Sequence, residues 1–170
     1  MNFSGIIRRV DELGRIVIPA EIRRLINIKE GENLEFIINN NEILLRKKSV
    51  VENNNIFFDL IGDKLGEVIE NGYYIITDRE KVYKSNFNAI VGKVIPRELS
   101  NLVMVHEYTE LRNTNLQFED IILKDTFRIF PYHIESDIAG FIVLYNIESI
   151  DKYTKLIKFL TNYIHDKLSL

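Results

Sequence analysis

Five guanidinium groups are gathered into "RRVDELGRIVIPAEIRR", residues 8–24: Arg8, Arg9, Arg15, Arg23 and Arg24. Each is a permanently charged planar fork that matches phosphate oxygens bidentately and can also reach guanine edges. The chemistry open to such a group is anion recognition, with DNA the natural anion. The competing reading is internal pairing, in which Asp11, Glu12 and Glu21 neutralise three of the five as surface ion pairs worth little. Two guanidinium groups per chain are then still left over. The cluster also stands out against its background. The chain carries a formal net charge of -3, yet residues 1–48 hold nine Lys+Arg against seven Asp+Glu, leaving 13 against 18 for residues 49–170. That asymmetry suggests a polyanion-facing end joined to a part with another task.

Other site chemistries find little support. The three histidines, His106, His133 and His165, lack any paired ligand spacing such as H-E-x-x-H, so no metal site is expected. The absence of cysteine removes disulfides, thiol catalysis and thiolate ligation, and fits a reducing compartment. "GDKLG" and "VGK" complete neither phosphate-loop pattern, and no G-x-S-x-G is present. Glu119 and Asp120 read as a solvated acidic pair. The reading is therefore not an enzyme and without a cofactor. The start, "MNFSGIIRRV", lacks the apolar core of a signal peptide, and the longest apolar run, "AGFIVLY" at 139–145, falls short of the roughly 18 residues of a membrane span. A cytoplasmic protein without a membrane partner is expected.

The elements that must position the arginines are short. "GIIRRV" (5–10) and "RIVI" (15–18) are β-branched runs separated by "DELG", which predicts a hairpin. Neighbouring Arg8 and Arg9 would then point to opposite faces, so that at least one faces solvent. Pro19 suits the first position of a helix in which Ile22, Leu25 and Ile26 share one face while Arg23 and Arg24 project elsewhere. After a turn at Gly31, the alternation of Leu34, Phe36 and Ile38, the "NNN" turn, and Ile43 and Leu45 predict a second hairpin. A unit of about 48 residues without disulfides or metal rarely supplies its own core, so a dimer is expected.

The polar "SVVENNN" (49–55) marks the predicted boundary, giving a DNA-binding domain at 1–50 and a second domain at 51–170. Beyond it, residues 56–69 have helical spacing, 73–85 read as a hairpin turning at Asp78–Lys81, and 88–111 read as mostly helical with an interruption before Pro96. "FEDIILKD" and "FRIFPYHIESDIAGFIVLY" read as strands, the last pair joined around Glu135–Asp137. Ile150, Tyr153, Ile157, Leu160 and Ile164, widened by Leu156, Phe159 and Tyr163, form the apolar stripe of a terminal helix that something must cover. Three helices and about five strands make this an antiparallel α+β domain, with terminal helices available for self-association.

The stretch "SGIIRRVDELGRIVIPAEIRRLINIKEGENLEFIINNNEILLRKK" resembles the N-terminal DNA-binding domain of the AbrB family, through G-I-x-R-x-V-D-x-L-G-R-I-V-I-P-x-E-I-R-R and G-x-x-L-E-F. The resemblance covers about a quarter of the chain. It implies a swapped-hairpin β-barrel in which two chains interleave, with Arg8, Arg15, Arg23 and Arg24 at the DNA-contacting positions and Arg9 at a further basic one. The remainder, with "YYIITDREKVYKS" and "DIAGFIVLY", is similar to the GAF-type domain that follows such a domain in a sporulation regulator. That implies a DNA-binding regulator of sporulation or transition-state genes, with double-stranded DNA as partner and the GAF-like domains joining homodimers into a homotetramer. The chain lacks the N-K-F-D-E motif and the bilin-attachment cysteine of ligand-binding relatives, so an unliganded assembly domain and an unknown small ligand both stay open. Two alternatives remain: an AbrB-type antitoxin, and a metabolite sensor acting through the GAF-like domain.

Overall fold

The computed structural model describes residues 5–169 apart from 26, 27, 29, 31–33, 48, 105–107, 135, 136 and 149. It divides into two compact units, Met1–Lys48 and Ser49–Leu170. The predicted positions of Ile26, Gly31 and His106, and most of the Glu135–Asp137 turn, fall outside the described residues.

In the first unit the predicted turn is present but the strands flanking it are not. Gly14 adopts φ 76, and Gly14 N–H donates to Asp11 O at 2.9 Å while Asp11 N–H donates to Arg15 O at 3.0 Å. Residues 5–10 and 15–18 form no strand ladder, contrary to the sequence reading. A lone two-stranded ribbon has no third strand or helix to bury its apolar face, so the turn forms without the ladder. Helix α1 (Ala20–Leu25) follows Pro19 as expected, with Arg23 N–H donating to Pro19 O at 3.0 Å. Strands β1 (Leu34–Asn39) and β2 (Glu42–Lys47) pair antiparallel, with Asn39 opposite Glu42. Asn40 and Asn41 turn the corner with φ 43 and 69, the left-handed pair that a two-residue hairpin requires and asparagine tolerates.

The second unit opens with a surprise. The stretch read as polar punctuation contains a helical turn, α2 (Val50–Asn53). Ser49 caps it by accepting from Glu52 N–H at 3.3 Å, and donates to Asp78 Oδ2 at 2.8 Å. Helix α3 (Asn55–Val68) lies within a residue of its predicted range. Strands β3 (Tyr73–Thr77) and β4 (Val82–Ser85) form the predicted hairpin. Its turn is closed by Asp78 Oδ1, which accepts from Glu80 and Lys81 N–H at 2.7 and 2.8 Å.

Residues 88–111 depart furthest from the sequence reading. The predicted long helix is a 3-10 turn (Asn88–Ile90), helix α4 (Arg97–Ser100) and a second 3-10 turn (Asn101–Met104). Strand β5 (Thr109–Phe118) starts where helix was expected. The two strands read from "FEDIILKD" and "FRIFPYHI" are one, β6 (Ile121–Ile134), paired with β5 around a turn at Glu119, φ 53. Pro131 lies beyond the described β5–β6 ladder, whose last pair on that side is Thr109 with Ile129, and it pairs with Phe141 of β7 on the other side.

Strand β7 (Asp137–Tyr145) completes a five-stranded antiparallel sheet of order β4-β3-β7-β6-β5, and helix α5 (Ile150–Leu168) ends the unit. The architecture is α+β, as the sequence reading held. Alternate residues of the central strands feed two cores. Ile76, Phe130, Tyr132, Ile142 and Leu144 pack with Phe58, Leu65, Ile157 and Ile164 of α3 and α5. Ile75, Phe127, Ile129, Phe141 and Val143 pack with Ile90, Ile95 and Leu99 on the opposite side. Gly140 allows a close crossing at the centre: a Cβ there would run into the Thr77 carbonyl and the Tyr132 hydroxyl. Tyr132 Oη donates to that carbonyl at 2.6 Å, and Phe141 N–H to Thr77 Oγ1 at 3.2 Å.

Candidate nucleic-acid interface

All five arginines are exposed. The turn that carries Arg15 is organised by the Asp11 carboxylate. Oδ1 accepts the backbone N–H of Leu13 at 3.0 Å and of Arg15 at 2.8 Å, while Oδ2 takes Arg15 Nε at 2.7 Å. The Arg15 backbone N–H and its guanidinium, helped by the Leu13 N–H, hold the Asp11 carboxyl below its usual range against the opposing effect of desolvation. One short side chain thus shapes the turn and fixes the Arg15 stem. The two terminal nitrogens of the Arg15 fork have no partner among the described residues.

The other four arginines make no ion pair among the described residues. Arg8 Nη1 donates to Ile7 O at 3.1 Å, which leaves its charge unanswered. Arg23 and Arg24 leave α1 in its last turn. Glu12 and Glu21, the carboxylates that could have neutralised two of the cluster, are not engaged with it. Internal pairing therefore accounts for a single arginine, Arg15, rather than three. The opposed faces expected of Arg8 and Arg9 do not apply, since no strand forms there. Solvent is available to both. The pairing role of Asp11 was within reach of the sequence, because an aspartate opening a D-E-L-G turn commonly accepts backbone N–H groups within the turn.

Apolar side chains of this unit are also exposed: Ile7 (88%), Leu13 (75%), Val17 (73%), Phe36 (69%) and Ile38 (82%). Among the described residues up to 47, Pro19 alone is buried. In the second unit an apolar patch joins α3 and α5. Ile56, Leu60, Phe159 and Tyr163 are exposed, with Phe57 and Tyr163 ring centroids 5.8 Å apart and Phe159 lying parallel to Tyr163 at 6.3 Å.

Among the described residues no group of three or more His, Asp or Glu side chains could hold a metal ion. His133 and His165, which the sequence reading left unconnected, line one open cavity of about 310 Å³ with Pro131, Thr161 and Asn162. Among the described residues no helix is long and apolar enough to cross a membrane.

Comparison with known proteins bears on both units. A family model described as "Antidote-toxin recognition MazE, bacterial antitoxin" matches residues 7–52. Stage V sporulation protein T of Bacillus subtilis (strain 168) is 28% identical over 157 residues, covering 86% of this chain and 85% of that protein. Transition state regulatory protein AbrB of the same organism is 49% identical over 46 residues, 27% of this chain and 48% of that protein. The match to AbrB thus spans about half of its length and falls in the part that holds the arginines.

Proposed function

We propose that this chain, which opens with a MazE/AbrB-type domain, is a DNA-binding transcription regulator that grips the duplex through Arg8, Arg9, Arg15, Arg23 and Arg24. The observation that carries the reading is the exposed cluster itself: one guanidinium oriented by Asp11 and four with no carboxylate partner among the described residues. Unpaired arginines repel one another, and a polyanion relieves that repulsion while releasing its condensed counterions.

The unit 1–50 works as an interleaved homodimer, the swapped-hairpin barrel. Its exposed Ile7, Val17, Phe36 and Ile38 supply the core that a single copy lacks, and a second chain supplies the strands that would complete the ribbon around the D-E-L-G turn. Residues 51–170, read as a GAF-like domain, join such dimers into a tetramer through the patch on α3 and α5. Several arginine clusters on one duplex then gain affinity through effective concentration, and part of the sequence preference comes from groove shape. The names of the relatives point to sporulation or transition-state genes as targets.

The test is a titration of Arg8→Ala, Arg15→Ala, Arg23→Ala and Arg24→Ala variants against double-stranded DNA at several salt concentrations. Each lost phosphate contact is expected to reduce the steepness of the salt dependence by roughly 0.9. Unchanged affinity and slope in all four overturns the reading. The description of the matched family model favours a second one, an antitoxin. Co-purification of a small protein partner that displaces DNA would select it.

A further inference from the structure

Arg128 stands in the middle of β6, with Leu144 opposite on β7 and Glu110 opposite on β5. Its neighbours Phe127 and Ile129 face one core, so Arg128 shares the other face of the sheet with Phe130 and Leu144. The side chain is half-buried. Its Nε is fully buried and has no hydrogen-bond partner, and the guanidinium makes no ion pair among the described residues. A guanidinium cannot shed its proton to escape that environment, and a buried N–H donor left without an acceptor is costly.

The natural partner is engaged elsewhere. Glu110, directly across the ladder, accepts Arg112 Nε at 2.9 Å and the Tyr108 hydroxyl at 3.1 Å. One carboxylate thus faces two guanidinium groups, hydrogen-bonding Arg112 and acting on Arg128 only through space, which leaves one negative charge between two positive ones. Arg112 itself is 79% exposed and lies within the irregular part of the β5 ladder, next to Asn113 with φ 47. The Tyr108 ring lies 4.8 Å from that of Phe130, placing an aromatic wall and a hydroxyl beside the same guanidinium.

We propose that Arg128 and Arg112, walled by Tyr108, form a binding site for a small anion bearing a carboxylate or phosphate group. Arg128 supplies a half-buried, pre-placed fork whose Nε has no partner. Arg112 supplies an exposed second cation that steers the ligand in. Tyr108 accepts or donates one hydrogen bond and covers an apolar part of the ligand. The site lies in residues 49–170, and its existence does not depend on DNA binding by the first unit.

The experiment uses the full chain, titrated with inorganic phosphate and, separately, with succinate, at constant ionic strength against chloride. The readouts are the Arg128 Nε–H resonance and the unfolding temperature. Wild type is expected to show a saturable shift at millimolar ligand or below, with apparent affinity reduced at least tenfold in Arg128→Met and a few-fold in Arg112→Ala. The N-terminal arginines are intact in all of these proteins, so the difference between them reads the β6 site alone. Without added anion, Arg128→Met is expected to unfold at the wild-type temperature or above it, because the substitution removes a buried N–H donor that has no acceptor. A response to phosphate but not succinate, or the reverse, identifies which group the fork takes. The proposal is overturned if the Arg128 resonance does not move, if Arg128→Met responds as wild type does, or if that substitution changes the mass of the assembly, since a second copy's carboxylate would then be the partner. Should Arg128→Met fail to fold, the wild-type resonance still decides.

Discussion

Phe141 and Phe36 are the same residue type in strand-forming sequence, yet one is fully buried and the other is 69% exposed. The contrast extends to their surroundings. Residues 49–170 bury apolar side chains on both faces of a five-stranded sheet, whereas the described residues of 5–46 leave most of theirs exposed and hold arginines beside them. Local pattern already hints at the difference, since β7 is a continuous apolar run suited to a sheet covered on both faces, whereas β1 and β2 mix apolar and polar residues. What separates them is the supply of layers. The second unit provides α3, α5 and the α4 region to cover its sheet, and the first provides a six-residue helix and a hairpin. Exposed apolar surface of this kind is where a proposed second copy would dock.

The contrast can be broken most directly at its buried end. Phe141→Ala is expected to cost about 3–5 kcal/mol of stability, read by urea unfolding of the full chain. A loss under about 1 kcal/mol would mean that the second core is not close-packed. Next comes Phe36→Ala. If the first unit is completed by a second copy, the substitution costs about 2 kcal/mol, makes unfolding more concentration-dependent and lowers the mass of a fragment spanning residues 1–50. If Phe36 truly lives in solvent, stability stays within about 0.5 kcal/mol. Tyr132→Phe is expected to cost about 1–2 kcal/mol, because the buried Thr77 carbonyl loses its donor while packing is kept. The smallest effect is at Asp11. Its folded-state carboxyl titrates below an ordinary aspartate, so its stabilisation is present above the usual carboxylate range and is lost as pH falls through that depressed value. The 13C shift of its carboxyl carbon, followed in acid, gives the midpoint. A midpoint at or above that of an ordinary aspartate would show that the Arg15 contacts are not maintained in solution.

How much could be read in advance depended on whether a residue's pattern was set locally. The D-E-L-G turn, the β3–β4 hairpin, α3 and α5 follow from turn chemistry and periodicity within one segment, and all four are found. Residues 88–111 were misread because the apolar spacing in "NLVMVHEYTEL" suits a helix. Thr109 to Leu111 are instead held as strand by their partners Ile129, Arg128 and Phe127 in β6, a tertiary effect that single-segment reasoning does not carry. Ser49 looked like linker because its value lies in a contact with Asp78, far along the chain. At the candidate interface the cluster of arginines was plain in the sequence. That Asp11 would take only one of them, and that Glu12 and Glu21 would take none, depended on side-chain reach. Arg128 gave no signal at all. A single arginine inside a mixed strand is unremarkable until its cross-strand carboxylate turns out to be occupied.

The position of β7 has a consequence for how the protein comes into being. It is the last strand to be synthesised and the middle strand of the sheet, so a nascent chain that has emerged only as far as β6 holds two hairpins with nothing to join them. Each would present an unpaired edge and half a core until Asp137–Tyr145 arrives. Folding of the second unit is therefore deferred until β7 has been made. Truncation or a stalled ribosome before β7 leaves a species bound for aggregation or proteolysis rather than a smaller working domain.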